Sequence, residues 1–220
     1  MTYNIDTYDN HLILISNNGR YLIDTGSPVT ISNSEKIEIF NTNYKTSTNY
    51  LGLTVEGLSK SLGTNIDALI GGDVLKNHTF KIDFKNKLFI ILDEINPNNQ
   101  SINIDLFMDI PIIEIEINRN RIRTFLDTGA KISYINSTYV KNLEPTDNRE
   151  DFYPTIGTFE TDIYEFEIVF NDSKMKLTFG VLPNQLEQML SFGNTNGIIG
   201  NDIFLYYCMT FDYKNKKIYF

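Results

Sequence analysis

Two acidic residues in this chain stand in the same short setting. Residues 21–32 read YLIDTGSPVTIS and residues 123–135 read RTFLDTGAKISYI, so Asp24-Thr25-Gly26 and Asp127-Thr128-Gly129 each end an apolar run. An acid placed straight after a buried-looking strand is costly unless something uses it. A given tripeptide occurs by chance in roughly one chain of ten or twenty at this length. Two copies, each followed downstream by Ile-Gly-x-Asp, make a strong signal.

These residue types suit one kind of chemistry. Two carboxyl groups within about 3 Å of each other cannot both ionise, so they share one proton and their apparent pKa values split. The ionised group can take a proton from a water held between them, and the protonated group can donate to a carbonyl oxygen. The roles then exchange as an amine leaves. The pair titrates as a unit, so the shared proton is assigned to neither Asp24 nor Asp127. Gly26 and Gly129 let the backbone turn tightly beneath each carboxyl, and Thr25 and Thr128 offer hydroxyls that can tie one loop to the other.

The elements that must position these loops are also written twice. Residues 66–90, IDALIGGDVLKNHTFKIDFKNKLFI, align without a gap on residues 195–219, TNGIIGNDIFLYYCMTFDYKNKKIY. Ile70, Gly71 and Asp73 fall on Ile199, Gly200 and Asp202, and Asp83, Lys85, Asn86 and Lys87 on Asp212, Lys214, Asn215 and Lys216. Before each Asp-Thr-Gly lies a hairpin pattern, HLILI-SNNG-RYLI in the first half and PIIEIEI-NRN-RIRTFL in the second. Ile113, Ile115 and Ile117 alternate with Glu114 and Glu116, the period of a half-buried strand. Each half therefore reads as strand, turn, strand, acidic loop, variable middle, apolar-Gly strand, short helix, final strand. Internal repetition of this kind makes the class mainly β and bilobal, with an N-terminal lobe over residues 1–94, a polar linker over 95–103 and a C-terminal lobe over 104–220.

The halves are unequal. The acidic loops are 103 residues apart (127 − 24), but the Ile-Gly elements are 129 apart (200 − 71). The additional residues fall around 150–181, EDFYPTIGTFETDIYEFEIVFNDSKMKLTFGV, which reads as two hairpins turning near Ile156-Gly157-Thr158 and near Asn171-Asp172-Ser173.

Other chemistry has little support. A net charge of −9 argues against nucleic-acid or acidic-lipid partners. No apolar run approaches the roughly 18 residues of a membrane span. His11, His78 and the single Cys208 form no metal-ligand cluster, and neither a nucleophile elbow nor a phosphate loop is present. Cys208 lies in LYYCMTF and reads as a buried small hydrophobe. Asn-x-Ser/Thr triplets begin at Asn77, Asn136 and Asn171, but the chain opens with no signal-peptide pattern and has no disulfide framework. A cytoplasmic location is expected.

With these motifs in hand, the chain resembles the aspartic proteases of the pepsin and retroviral (retropepsin-like) types. LIDTGS and FLDTGA are similar to the family's two active-site loops, and ALIGGDVL and GIIGNDIF to the apolar-Gly strand and helix beneath each. The likeness is weakest over residues 33–60 and 136–150. It implies a bilobal acid-protease fold built from two retropepsin-like lobes with a central cleft, Asp24 and Asp127 at its floor, and no metal or cofactor. Thr25, Gly26, Ser27, Thr128, Gly129 and Ala130 would support the loops. Ser27 follows the pepsin pattern and Ala130 the retroviral one, and the missing hydroxyl at Ala130 points to activity nearer neutrality. Retroviral enzymes resemble one lobe and dimerise, whereas this chain carries both loops, so a monomer is expected.

FYPTIGTFET resembles the tip of a retroviral flap, and it lies in the C-terminal half. A single flap is therefore expected from the lobe opposite to pepsin's, with Tyr153, Ile156, Gly157, Thr158 and Phe159 near substrate. The first half reads as too short for a matching hairpin. The residues before Asp24 read as strands, so a pepsin-type pro-segment is not expected. The activity implied is hydrolysis of peptide bonds in an extended peptide or protein. The alternative is a protease-like module that holds peptide without cutting it.

Overall fold

The computed structural model describes residues 1–96, 99–153 and 156–220. Pro97 and Asn98 of the expected linker, and Pro154 and Thr155 of the expected flap tip, lie outside the described residues. The chain is mainly β and forms two sheet-rich lobes, as the internal repetition predicts.

In the first half, the hairpin of Thr2–Tyr8 and His11–Ser16 turns through Asp9 and Asn10, both with positive φ (44° and 63°). That is the geometry a tight hairpin turn requires, and Asp and Asn tolerate it better than most side chains. The strand Gly19–Ile23 follows, then the Asp24 loop, and Ala68–Ile70 returns parallel to Gly19–Ile23. Ile31–Ser32 pairs antiparallel with the same return strand. The second half repeats this arrangement. Ile110–Ile117 pairs with Asn120–Leu126, Gly197–Ile199 runs parallel to Asn120–Leu126, and Ser133–Ile135 pairs antiparallel with Gly197–Ile199. Ile113, Ile115 and Ile117 are buried and Glu114 is exposed, matching the expected alternation.

The additional residues of the second half form the two expected hairpins. Gly157–Phe170 pairs on one side with Asp147–Tyr153 and on the other with Ser173–Val181, turning through Asn171 and Asp172 with φ of 48° and 58°. Its inner end also reaches Ile110–Ile117 through Glu116↔Val169 and Ile117↔Ile168, which closes that sheet on itself.

The first half also contains a hairpin, Lys36–Ile39 with Thr42–Lys45, despite its shorter length. Its turn residue Phe40 is buried and stacks on Phe89 at 5.5 Å, with the His78 ring 4.9 Å away. Aromatic burial thus draws this hairpin into the core.

Sheet pairing crosses the sequence halves. Met209–Asp212 pairs with Thr79–Asp83, and Lys217–Tyr219 pairs with Ser101–Asn103, so the last strands of the second half and a strand of the linker region join the first sheet. Phe80 stacks on Phe89 at 5.1 Å and on Phe211 at 4.8 Å, which makes one core from strands far apart in sequence.

Candidate active site

Each acidic loop is suspended from its parallel strand pair. The Asp24 amide donates to Ile70 O at 3.0 Å, and the Asp127 amide to Ile199 O at 2.9 Å. Within the loops, the amides of Gly26 and Ser27 both donate to Asp24 Oδ1 at 2.9 Å, and the Gly129 amide donates to Asp127 Oδ1 at 2.7 Å. These donors orient the carboxyls and favour their charged forms.

The two loops are joined through their threonines. The Thr25 amide donates to Thr128 Oγ1 and the Thr128 amide to Thr25 Oγ1, each at 3.0 Å. Thr25 Oγ1 donates to Leu126 O at 2.7 Å, and Thr128 Oγ1 to Ile23 O at 2.8 Å. Both side chains are fully buried, so each hydroxyl spends its donor and an acceptor site across the lobes. The glycines are needed for a steric reason. A Cβ on Gly129 would lie 2.5 Å from the Asp24 carboxyl carbon, and one on Gly26 would collide with the Asp127 carboxyl. Only glycine lets each carboxyl rest against the opposite loop.

A second layer braces the loops, again twice over. Asp73 accepts from the Thr30 amide at 2.9 Å and Thr30 Oγ1 at 2.6 Å, while Asp202 accepts from Ser133 Oγ at 2.7 Å. Thr30 Oγ1 and Ser133 Oγ each accept from the glycine amides of the Ile-Gly elements, Gly71 and Gly200, at 3.0 Å. Burial raises the Asp202 carboxyl to about 6. These bracing hydroxyls were not singled out from the sequence, although Thr30 and Ser133 have the same spacing as the two loop threonines (133 − 30 = 103, 128 − 25 = 103).

Asp24 and Asp127 are only partly shielded from solvent, yet protein atoms surround them closely. Burial raises the pKa of both. For Asp24 the charge of Asp127 and a direct hydrogen bond between the carboxyls raise it further. For Asp127 the Gly129 amide and the hydrogen bond shared with Asp24 oppose part of the rise. The Ser27 hydroxyl donates to Val29 O at 2.9 Å and is not directed at Asp24. Ala130 has no hydroxyl, so the loops differ less electrostatically than their sequences suggest.

The hairpin residues are placed unequally. Tyr153 is half-buried, and burial together with the charges of Asp127 and Asp24 pushes its hydroxyl up to about 12. Tyr50 of the first half adds to that shift, and nothing in its sequence setting marked it out. Ile156 and Phe159 pack on the second lobe's own cluster around Ile132, Tyr134 and Leu186. Thr158 is exposed, and Gly157 has φ +86° with open space where a side chain would be. Among the described residues no group of three or more His, Cys, Asp or Glu could hold a metal ion, and no helix is long and apolar enough to cross a membrane.

No protein-family model matches the chain, and no curated protein matches it in sequence. Among solved structures, the chain is similar to the protease of simian foamy virus (mac), with 14% identity and a TM-score of 0.32 over 41% of this chain and 88% of the viral one.

Proposed function

We propose that the chain is an aspartic endopeptidase that hydrolyses peptide bonds of an extended polypeptide with the Asp24/Asp127 dyad. The observation that carries this reading is the pair of carboxyls, each resting against the opposite loop's glycine, partly open to solvent and held across two lobes by the threonine exchange. The dyad begins with one proton. The ionised carboxylate takes a proton from water as the water oxygen bonds to the scissile carbonyl carbon, and the protonated carboxyl gives its proton to the carbonyl oxygen. As the C–N bond breaks, the newly protonated carboxyl gives its proton to the leaving nitrogen. The other carboxylate takes a proton from a hydroxyl of the tetrahedral diol as its C=O bond re-forms, so the dyad again holds one proton. The hairpin tip, including Tyr153, Ile156, Gly157, Thr158 and Phe159, would cover the substrate, and its apolar side chains suit bulky apolar residues beside the scissile bond. One chain supplies both carboxyls, so a monomer suffices.

The test is cleavage of a diverse peptide library between about pH 3 and 7, the range in which carboxyl dyads work. Wild type is expected to cut, and Asp127→Asn to lose about 10²- to 10⁴-fold in rate, the usual contribution of a general acid or base. Equal products from both proteins, or none from either, would overturn the reading. Tight peptide binding by a wild type that does not cut would replace it with the peptide-holding module.

A further inference from the structure

One cluster of charged groups outside the dyad links all three parts of the site. Lys131, directly after Asp-Thr-Gly-Ala, places Nζ 2.9 Å from Asp9 Oδ2 and 3.7 Å from Asp151 Oδ1. Asp9 belongs to the first lobe's hairpin turn, and Asp151 to the second lobe's strand Asp147–Tyr153. The Asn10 side-chain amide donates to Lys131 O at 2.8 Å. Asn201 Nδ2 then donates to both Asn10 O and Thr128 O at 2.8 Å. A continuous path thus runs from the hairpin, through Lys131 and the first lobe's turn, to a loop threonine of the dyad.

We propose that Lys131 is a positioning residue that seats the hairpin over the dyad by clamping it to both lobes. Strand periodicity supplies the reason. Asp147–Tyr153 is exposed along most of its length, and only Asp151 and Tyr153 lose substantial surface. Residues two apart share a face of a strand, so fixing Asp151 fixes Tyr153 roughly 7 Å further on. Tyr134 also donates to Asp151, and burial with the Asp151 charge raises its pKa, which keeps it a donor. Lys131 and Asp151 retain only 20% and 13% of their side-chain surface, so removing the cation would leave Asp151 poorly solvated. Among the described residues, neither Asp9 nor Asp151 pairs with another cation. His11 faces the cluster with a buried, unpartnered Nδ1, and its burial lowers its pKa, so it adds no charge near neutrality. Among the described residues, the opposite half has no such clamp. Pro28 stands where the second loop has Lys131, and the matching interlobe pair, Lys76–Asp109 at 2.7 Å, joins a helix end to the turn between Phe107 and Ile110, not to the Lys36–Lys45 hairpin.

The kinetic part of this proposal rests on the peptidase reading, so the test has a second, activity-free arm. In the full chain, Lys131→Met is expected to raise the KM for peptide about tenfold, as loss of a buried charge partner does, with a much smaller change in kcat. Lys131→Arg retains a cation and should restore most of the KM. Asp9→Asn, made in the other lobe, should raise KM less, and adding it to Lys131→Met should change nothing further. Independently of cleavage, hydrogen exchange in residues 147–153 and 157–163 should quicken in both Lys131→Met and Asp9→Asn, while 110–126 stays protected. Unchanged hairpin exchange in either variant, or KM effects that simply add, would overturn the proposal. No cleavage by wild type, with the exchange response still present in both variants, would sink the peptidase reading and leave the clamp.

Discussion

At the scale of residues, the paired carboxyls of Asp24 and Asp127 are the place where burial and charge conflict. Burial raises the pKa of both carboxyls, so the folded chain binds more protons than the unfolded one between the ordinary carboxylate pKa and the raised values. The sign follows from that difference. The contribution of this pair to stability is greatest below the ordinary carboxylate range and falls as pH rises through the window up to the folded pKa values. Removing one carboxyl removes that loss. Asp24→Asn is therefore expected to melt about 2–4 °C above wild type at neutral pH, the shift that about 1 kcal/mol produces in a chain of this size. Near pH 3 the advantage should vanish, because both wild-type carboxyls are then neutral. Melting curves of the two proteins across pH check this, and a constant difference at all pH values would contradict it.

At the scale of elements, each acidic loop is built from its own strands but completed by the other lobe. Thr128 Oγ1 accepts from the Thr25 amide and donates to Ile23 O, and both partners belong to the first lobe. Thr128→Val keeps the shape but leaves two buried backbone groups unpaired, at a cost of roughly 2–4 kcal/mol. Because those groups support Asp24, activity should fall even though the substitution lies in the Asp127 loop. Urea denaturation and peptide cleavage measured on the same variant check both halves of the expectation. The loops were legible in the sequence because facing carboxyls joined by a threonine exchange restrict residue type: an acid, a small hydroxyl and a residue without a side chain, twice. The second-layer braces Thr30 and Ser133 were not, since a hydroxyl a few residues past a loop has many ordinary uses. Lys131 carried no signal at all, because its value lies in Asp9 and Asp151, which only the folded chain brings to it.

At the scale of the whole molecule, similarity between halves was legible but adjacency was not. The gapless match of residues 66–90 with 195–219 marks equivalent strands and turns, and the turns keep equivalent bonds: Asn86 caps Asp83 as Asn215 caps Asp212. It does not reveal that Met209–Asp212 pairs with Thr79–Asp83, or that Ser101–Asn103 leaves the linker to pair with Lys217–Tyr219. Strands of similar alternation can pair with many partners, and the choice is fixed by packing that no single segment encodes. The outcome bears directly on how the chain unfolds. Phe80 and Phe211 are stacked neighbours in one core, so the first sheet cannot lose the C-terminal strands and keep its interior. Nor can the second lobe open while the buried threonine exchange holds. Urea unfolding is therefore expected to be a single transition, with coincident curves from far-UV circular dichroism and from tyrosine fluorescence. Two separated transitions would mean that the lobes are stable units joined only by the linker, and the continuity of the first sheet would then contribute little to the fold.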